Sequence, residues 1–436
     1  MKKILFFWNE LKATFWFVPV VILIISILLS LGLVYLDGLV TISKDGLGQI
    51  FFVNNSDSAR SILSTISGAM IGVAGTVFSI TLVALTLASS QFGSRLIKNF
   101  MYVRLNQVVL GSYISTYLYC LLVLSAIRDS NGYTFIPSIS ILIAILLAIV
   151  NIILLIIFIH QIAISIQADK IIADISDFIS NQVKILFPEK MGEELDNIKG
   201  LDIDSIKSKY NYITSLKSLK NGYLQYIDSE SLIEIITKYD ALLDLQYRPG
   251  GYMVEDMEIG LLYTHDNLDK ENIKNILEQF VIGKSKNDQQ DLEFSIHQMV
   301  EIAARALSPG INDPYTAISC IDNLTSTMCY LTKVKFPSKY RFDDENNIRI
   351  IADTLDFEGV MDAAFNQIRQ YSAGSTAVII RLIEALITIN KFAKKESHKN
   401  AVMKHAKMVL NIGTESIKED NDLKDLTIRS KKIIGK

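Results

Sequence analysis

The chain has 436 residues, is 50% hydrophobic and 20% charged, and carries a formal net charge of −3; its mean hydropathy is +0.30. That average is too apolar for an ordinary soluble domain and too charged for a bare membrane bundle. The acidic balance, with no basic low-complexity tail, argues against nucleic acid as a partner, and three cysteines (Cys120, Cys320, Cys329) outside any CxxC spacing exclude a disulfide framework.

The charges are unevenly placed. Residues 1–168 hold 14 charged side chains with a net of +4, whereas residues 169–436 hold 75 with a net of −7. A membrane half is therefore followed by a soluble half. Four stretches (13–36, 61–94, 105–127 and 130–168) contain no charged residue, and each exceeds the ~20 residues needed to cross a bilayer. They predict spans over about 14–36, 62–88, 107–127 and 135–162. Trp16 and Tyr35 fall near the ends of the first, where aromatic belts are expected. The first apolar core is too long for a cleaved signal peptide. Lys2, Lys3, Lys12, Arg95, Lys98 and Arg104 fall on one side, against Lys44, Arg60 and Arg128 on the other. That bias predicts both termini, and the whole soluble half, in the cytoplasm. Asn54-Asn55-Ser56 matches a glycosylation sequon, read as a chance match.

The second span is crowded with Gly, Ser, Thr and Ala. At helical spacing Ser61, Thr65, Gly68, Gly72, Gly75 or Thr76, Ser79, Thr86 and Ser90 share one face, interrupted by the bulk of Leu82 and Val83. Gly68 and Gly72 form a GxxxG. Two readings stay open: close helix packing through small residues, and a pore lining with a dewetting constriction at Leu82/Val83. No Asp, Glu, Lys or Arg interrupts a span, which disfavours ion-coupled carriers. Asn151 is read as a helix-bridging hydrogen-bonding group, and His160 as interfacial.

The fourth span reads as continuing without a break into the cytosol, with no Gly or Pro before Pro188. Residues 169–220 form a helical connector in this reading. A small β-rich module is expected over 221–264, with a capping box at Ser231–Glu234 and a tight turn at Arg248-Pro249-Gly250-Gly251. Residues 265–436 read as mainly helical, with segments near 270–282, 290–307, 313–333, 357–371, 375–396 and 398–411. The fold class expected is thus mainly α: a four-helix transmembrane domain (1–168) plus a C-terminal cytoplasmic α+β domain, a small β module followed by a helical bundle.

Between the second and third of those helices lies the most specific motif, ARALSPGINDPYTA over residues 304–317. Pro309-Gly310 stops one helix, Asp313 can N-cap the next and Pro314 suits its first position. Free amides at a helix start favour an anion, so Arg305, Ser308, Asn312, Asp313 and Thr316 are candidates for binding a small anionic ligand or lipid headgroup. The plainer reading is a helix joint whose polar groups satisfy one another.

SITLVALTLASSQFGSRLIKNF after span 2, VVLGSYISTYLYCLLVL in span 3, and QDLEFSIHQMVEIAARALSPGINDPYTAI together resemble a bacterial family of membrane proteins known only as a domain of unknown function. The likeness extends to the RPGG turn and AFNQIRQY (Ala364–Tyr371), so it covers nearly the whole chain. It implies four spans in a bacterial inner membrane with a large cytoplasmic domain, and offers no catalytic residues to transfer. There is no P-loop, HExxH or GxSxG. His398 and His405 share a helix face amid Lys394, Lys404 and Lys407, poor surroundings for a metal, and Asp343-Asp344-Glu345 reads as a solvated loop. No enzyme, cofactor or metal is expected. The functional expectation is a homo-oligomeric inner-membrane channel-like protein with span 2 lining an ion or small-solute pathway coupled to the cytoplasmic domain. The alternative is a non-conducting, membrane-anchored sensor or scaffold.

Overall fold

A computed structural model of the chain describes residues 14–40, 55–92, 104–130, 133–165, 167–186, 202–287 and 289–435, with Trp8, Leu11 and Lys12. Lys2, Lys3, Lys44, Arg95 and Lys98 of the orientation argument, Asn54 of the sequon, and Pro188 with the charged residues around it lie outside the described residues. The chain divides into two compact units, Met1–Lys170 and Ile171–Lys436.

The first unit contains α1 (Phe17–Leu39), α2 (Ser56–Phe92), α3 (Arg104–Ala126), β1 (Arg128–Ser130), β2 (Tyr133–Phe135) and α4 (Ser138–Ser165). All four helices are long and apolar enough to cross a membrane. The most enclosed is α3, packed against α1, α2 and α4. Its Gly111 permits the closest approach: a Cβ there would stand 2.9 Å from the Cα of Pro19 on α1. Several polar groups of the helices find partners across the bundle, where little water is available to them. Ser26 Oγ donates to the Ser115 carbonyl (2.9 Å) and Tyr113 OH to that of Asn151 (2.7 Å). Tyr119 OH donates to the Ser140 carbonyl at 2.9 Å. Asp37, at the end of α1, accepts from the Ile139 and Ser140 amides and so caps the start of α4. The β1–β2 hairpin joining α3 to α4 was not foreseen in the sequence.

The helix expected to continue unbroken from span 4 is instead two helices. Helix α4 ends at Ser165 and α5 (Ala168–Leu186) begins three residues later, with Ile166 outside the described residues. The Gln167 amide turns back to the Ile164 carbonyl at 3.0 Å, and Asp169 in the first turn of α5 suits a new helix start.

The second unit takes in α5 from Ile171 onward and the single-turn α6 (Ile203–Lys207), followed by strands and helices. The strands are β3 (Tyr212–Lys217), β4 (Gly222–Ile227), β5 (Leu242–Leu245), β6 (Tyr252–Met253), β7 (Glu258–Thr264) and β8 (Phe280–Gly283). Among them lie α7 (Ser229–Lys238) and α8 (Lys270–Leu277). After α9 (Leu292–Ala306) and α10 (Pro314–Leu331) come β9 (Tyr340–Phe342) and β10 (Ile348–Ala352). The chain closes with α11 (Phe357–Tyr371), α12 (Thr376–Phe392), α13 (Glu396–Ser416) and α14 (Asp420–Ile434).

Two sheets form, of order β3-β7-β5-β10-β9 and β6-β4-β8. Among the described residues only β5 and β10 run parallel, in register Leu243↔Ile350 and Leu245↔Ala352; the other pairs are antiparallel. The sheets enclose a core that includes Leu216, Leu224, Leu232, Ile236, Leu262 and Ile350. Strands thus come from 212–217, 280–283 and 340–352, outside the stretch that reads as β-rich. The cap of α7 is Asp228, accepting from the Ser231 amide, in place of the expected Ser231: the polar Asp228 comes first and the helix takes it. The Asp343-Asp344-Glu345 segment is a hairpin turn rather than a fully solvated loop. Asp343 is buried, accepts from the Glu345 and Asn347 amides, and meets Arg349 Nε at 2.6 Å. Arg349 also reaches Asp240 at 2.6 Å, and these hydrogen bonds hold the Asp343 carboxyl below the usual carboxylate range against its burial.

Helices α9–α14 pack into a bundle around Ile296, Met299, Ile321, Leu324, Ile379 and Leu382, all fully enclosed or nearly so. Gln182 on α5 joins it by accepting from Ser295 Oγ on α9 at 2.7 Å. The sequence missed α14, a charged helix whose Leu426 packs against Gly413 of α13.

Candidate functional site

Helix α2 has two distinct faces. Ser56, Ala59, Leu63, Ser67, Met70, Ala74, Val77, Ala84 and Ala88 are buried. Their three- and four-residue spacing defines one stripe that packs on the other spans. All the stripe residues singled out in the sequence lie on the other side and are exposed: Ser61, Thr65, Gly68, Gly72, Gly75, Thr76, Ser79, Leu82, Val83, Thr86 and Ser90. Among the described residues, nothing beyond the helix's own backbone comes within 4 Å of a Cβ built at Gly68, Gly72 or Gly75, so the GxxxG packs against none of the described spans. The hydroxyls are turned onto their own helix. Thr65 donates to the Ser61 carbonyl, Thr76 to Gly72, Ser79 to Gly75 and Thr86 to Leu82. Each keeps its lone pairs available to a neighbour on the outer side. Leu82 and Val83, 47% and 69% exposed, stand out from the same face as bulk.

The outward faces of the other spans differ. Those of α1 and α4 present Val20, Ile24, Ile25 and Leu28, and Ile149, Ile152, Ile153 and Ile156, all exposed. Large apolar side chains are what a helix shows to lipid tails; on α2 such side chains (Ile71, Phe78, Ile80 and Leu87) flank a stripe of exposed glycines and hydroxyls.

The 305–316 joint folds as its residues suggest. Asp313 caps α10, its carboxylate accepting from the Thr316 amide (3.1 Å) and the Thr316 hydroxyl (2.6 Å), with Pro314 at the first turn. Ser308 Oγ donates to the Arg305 carbonyl, and the Ile311 and Asn312 amides return to the Ser308 carbonyl. Asn312 takes a φ of +52, the left-handed conformation Asn tolerates. Arg305 Nε lies 4.0 Å from Glu301. The structure therefore pairs Asp313 with Thr316, while Ser308 bonds to the backbone of Arg305. Asp313's own carboxylate occupies the position where an anion was considered. Ile311 and Tyr315, by contrast, project into solvent.

Asn151 does bridge helices: its Nδ2 donates to Thr116 Oγ1 at 2.8 Å. His160 is exposed. His398 stacks on Phe357 with ring centroids 4.1 Å apart, and His405 Nε2 lies 3.1 Å from Asp362. Burial pulls both imidazoles below their ordinary pKa, Lys395 acting in the same sense on His398; at His405 Asp362 opposes that effect. Sequence reading missed the Asp37 cap, whose only local signal was an acid at the end of an apolar run.

With that arrangement established, comparison with known proteins gives the family. The chain belongs to the family described as Predicted membrane protein (DUF2254), whose model matches residues 12–388. An uncharacterized protein of Mycobacterium bovis and one of Mycobacterium tuberculosis are each 28% identical to it over 381 residues, spanning 86% of this chain and 72% of each relative. No solved structure matches.

Proposed function

We propose that the protein is a homo-oligomeric, channel-like protein of a bacterial inner membrane, with the exposed face of α2 lining an ion or small-solute pathway. One observation carries this reading: α2 turns its Gly/Ser/Thr stripe away from the other three spans, while the outward faces of α1 and α4 are aliphatic. A face of small side chains gains little from lipid. It gains more from a second helix approaching closely, or from water. Ring closure by several copies supplies both. Leu82 and Val83 then form the narrow apolar level at which the pathway opens and closes. The basic bias of residues 1–12 and 95–104 sets both termini and the soluble unit in the cytoplasm, where that unit would act as the sensor. No enzymatic step belongs to this reading.

The experiment is cysteine accessibility in native membranes. Ser79→Cys and Thr86→Cys should react with a water-soluble, membrane-impermeant thiol reagent, and Ile153→Cys on α4 should not. The native Cys120 is fully enclosed, which keeps the background in the membrane unit low. Equal protection of all three introduced cysteines, in oligomers shown by cross-linking, would favour the alternative: a membrane-anchored scaffold whose α2 faces only seal subunits together.

A further inference from the structure

A cavity of about 190 Å³ lies in the membrane unit, at the end of the bundle where α1 and α3 begin and α2 and α4 end. Among the described residues its walls are Phe15 just ahead of α1, Asn106 of α3, Ile162 of α4 and part of α2. The α2 part is one helix face: Phe78, Thr81, Leu82 and Leu85 follow at three- and four-residue spacing, with Ala84 beside them. This face flanks the Gly/Ser/Thr stripe, and Leu82 stands where the two meet.

The walls offer almost nothing to a polar ligand. The Thr81 hydroxyl is turned onto its own helix and donates to the Val77 carbonyl at 2.8 Å. Asn106 is buried, and protein atoms enclose its side-chain oxygen. A water in a cavity needs two to four polar partners, which these walls do not supply. An apolar cavity of about 150 Å³ stays dry and takes up a hydrocarbon the size of benzene, and this one is larger. The cavity is also open on one side. Phe78 and Leu82 both line it and reach the outer surface, 46% and 47% exposed. Phe78 shares its flank of α2 with Ile71, one helical repeat earlier and also exposed. Such side chains are what a span presents to lipid tails, so the molecules beside the opening are acyl chains.

We propose that this cavity is a binding site for one acyl chain of a membrane phospholipid, which enters beside Phe78 and packs against Thr81, Leu85 and Ile162. A chain seated there gives the walls the dispersion contacts that an empty void forfeits. It also lies behind Leu82, the side chain that the channel reading places at the narrow level of the pathway. That last consequence rests on the channel reading; the binding itself does not.

The test uses the full-length protein in detergent, titrated with a phosphatidylglycerol that carries a photoreactive diazirine within one acyl chain. Modified residues are then located by mass spectrometry. Labelling of Thr81 and Leu85 should saturate, whereas labelling of Ile24 and Leu28 on the outward face of α1 should keep rising with the probe. Unlabelled phosphatidylglycerol should compete at Thr81 and Leu85, and glycerophosphoglycerol, the same headgroup without chains, should not. Ala84→Leu places its added side chain in the cavity. Displacing two methylene groups of the ligand suffices to weaken labelling at Thr81 and Leu85 by about tenfold, with Ile24 and Leu28 unaffected. Should that variant not fold, saturation and competition on the unaltered protein decide the matter. Labelling at Thr81 and Leu85 that rises without saturating overturns the proposal, as does equal labelling in the variant. Competition by the chainless headgroup would also overturn it.

Discussion

Gly72 sits near the middle of the exposed face of α2, with nothing among the described residues, its own helix backbone aside, within 4 Å of a built Cβ. Gly72→Leu therefore adds a full side chain without an intramolecular clash. Leucine is also the better helix former, by about 0.5–1 kcal/mol over glycine, so the protomer should be as stable as before or slightly more so. Any loss must then arise where copies meet or where solute passes. In a ring of subunits the variant adds one isobutyl group per copy to the pathway, about one helical turn above Thr76 and between Gly68 and Ser79. Planar-bilayer recording should show unit conductance reduced by about half or more, unless the oligomer itself is lost in light scattering. The thermal midpoint in detergent should hold or rise. Ile153→Phe, a comparable enlargement on the aliphatic face of α4, is the control and should leave conductance alone. A conducting wild type matched by Gly72→Leu in both conductance and subunit number would remove α2 from the pathway. A wild type silent under voltage and tension would remove the channel reading altogether.

Gly111→Ala should behave in the opposite way to Gly72→Leu, because its Cβ meets the backbone of Pro19 at 2.9 Å. Spans α1 and α3 must then part, at a cost of about 1–3 kcal/mol, read as a lower midpoint in detergent-induced unfolding; an unchanged midpoint would contradict that packing. A double-mutant cycle of Asn151→Ala and Thr116→Val should return a coupling near 0.6 kcal/mol, with about 1.7 kcal/mol as its ceiling, and a cycle closing at zero would deny the hydrogen bond between them. For pH, burial lowers the folded pKa of His398 and His405 below the unfolded value near 6.5. Below pH 6.5 the unfolded chain binds more protons than the folded one, so this stability is complete above that value and is lost as pH falls through it toward the depressed pKa values. The melting temperature of the second unit should therefore drop between pH 7.5 and 5.5, and His405→Gln should flatten the slope; a pH-independent midpoint in the wild type would show that these imidazoles bind protons equally in the folded and unfolded chain.

What the sequence determined by itself is whatever a short window encodes. Charge-free runs of more than twenty residues settle four spans, since no other structure lets such a run reach solvent-free surroundings. Helix stops and starts at Pro309-Gly310 and Asp313-Pro314 are likewise local, and the structure places α9, α10 and α11 within a residue or two of their expected limits. The break at Ser165–Ala168 escaped because no Gly or Pro marks it. Sheet membership was beyond a window altogether. Strand β10 joins β5 across more than a hundred residues, and neither segment says which partner its free amides will find. The same limit applies to function. Periodicity gathered Ser61 through Ser90 onto one face of α2, but a helix with a buried Ala/Leu stripe and a Gly/Ser/Thr stripe can turn either one inward. Only packing against the enclosed α3 decided that the small-residue face points out.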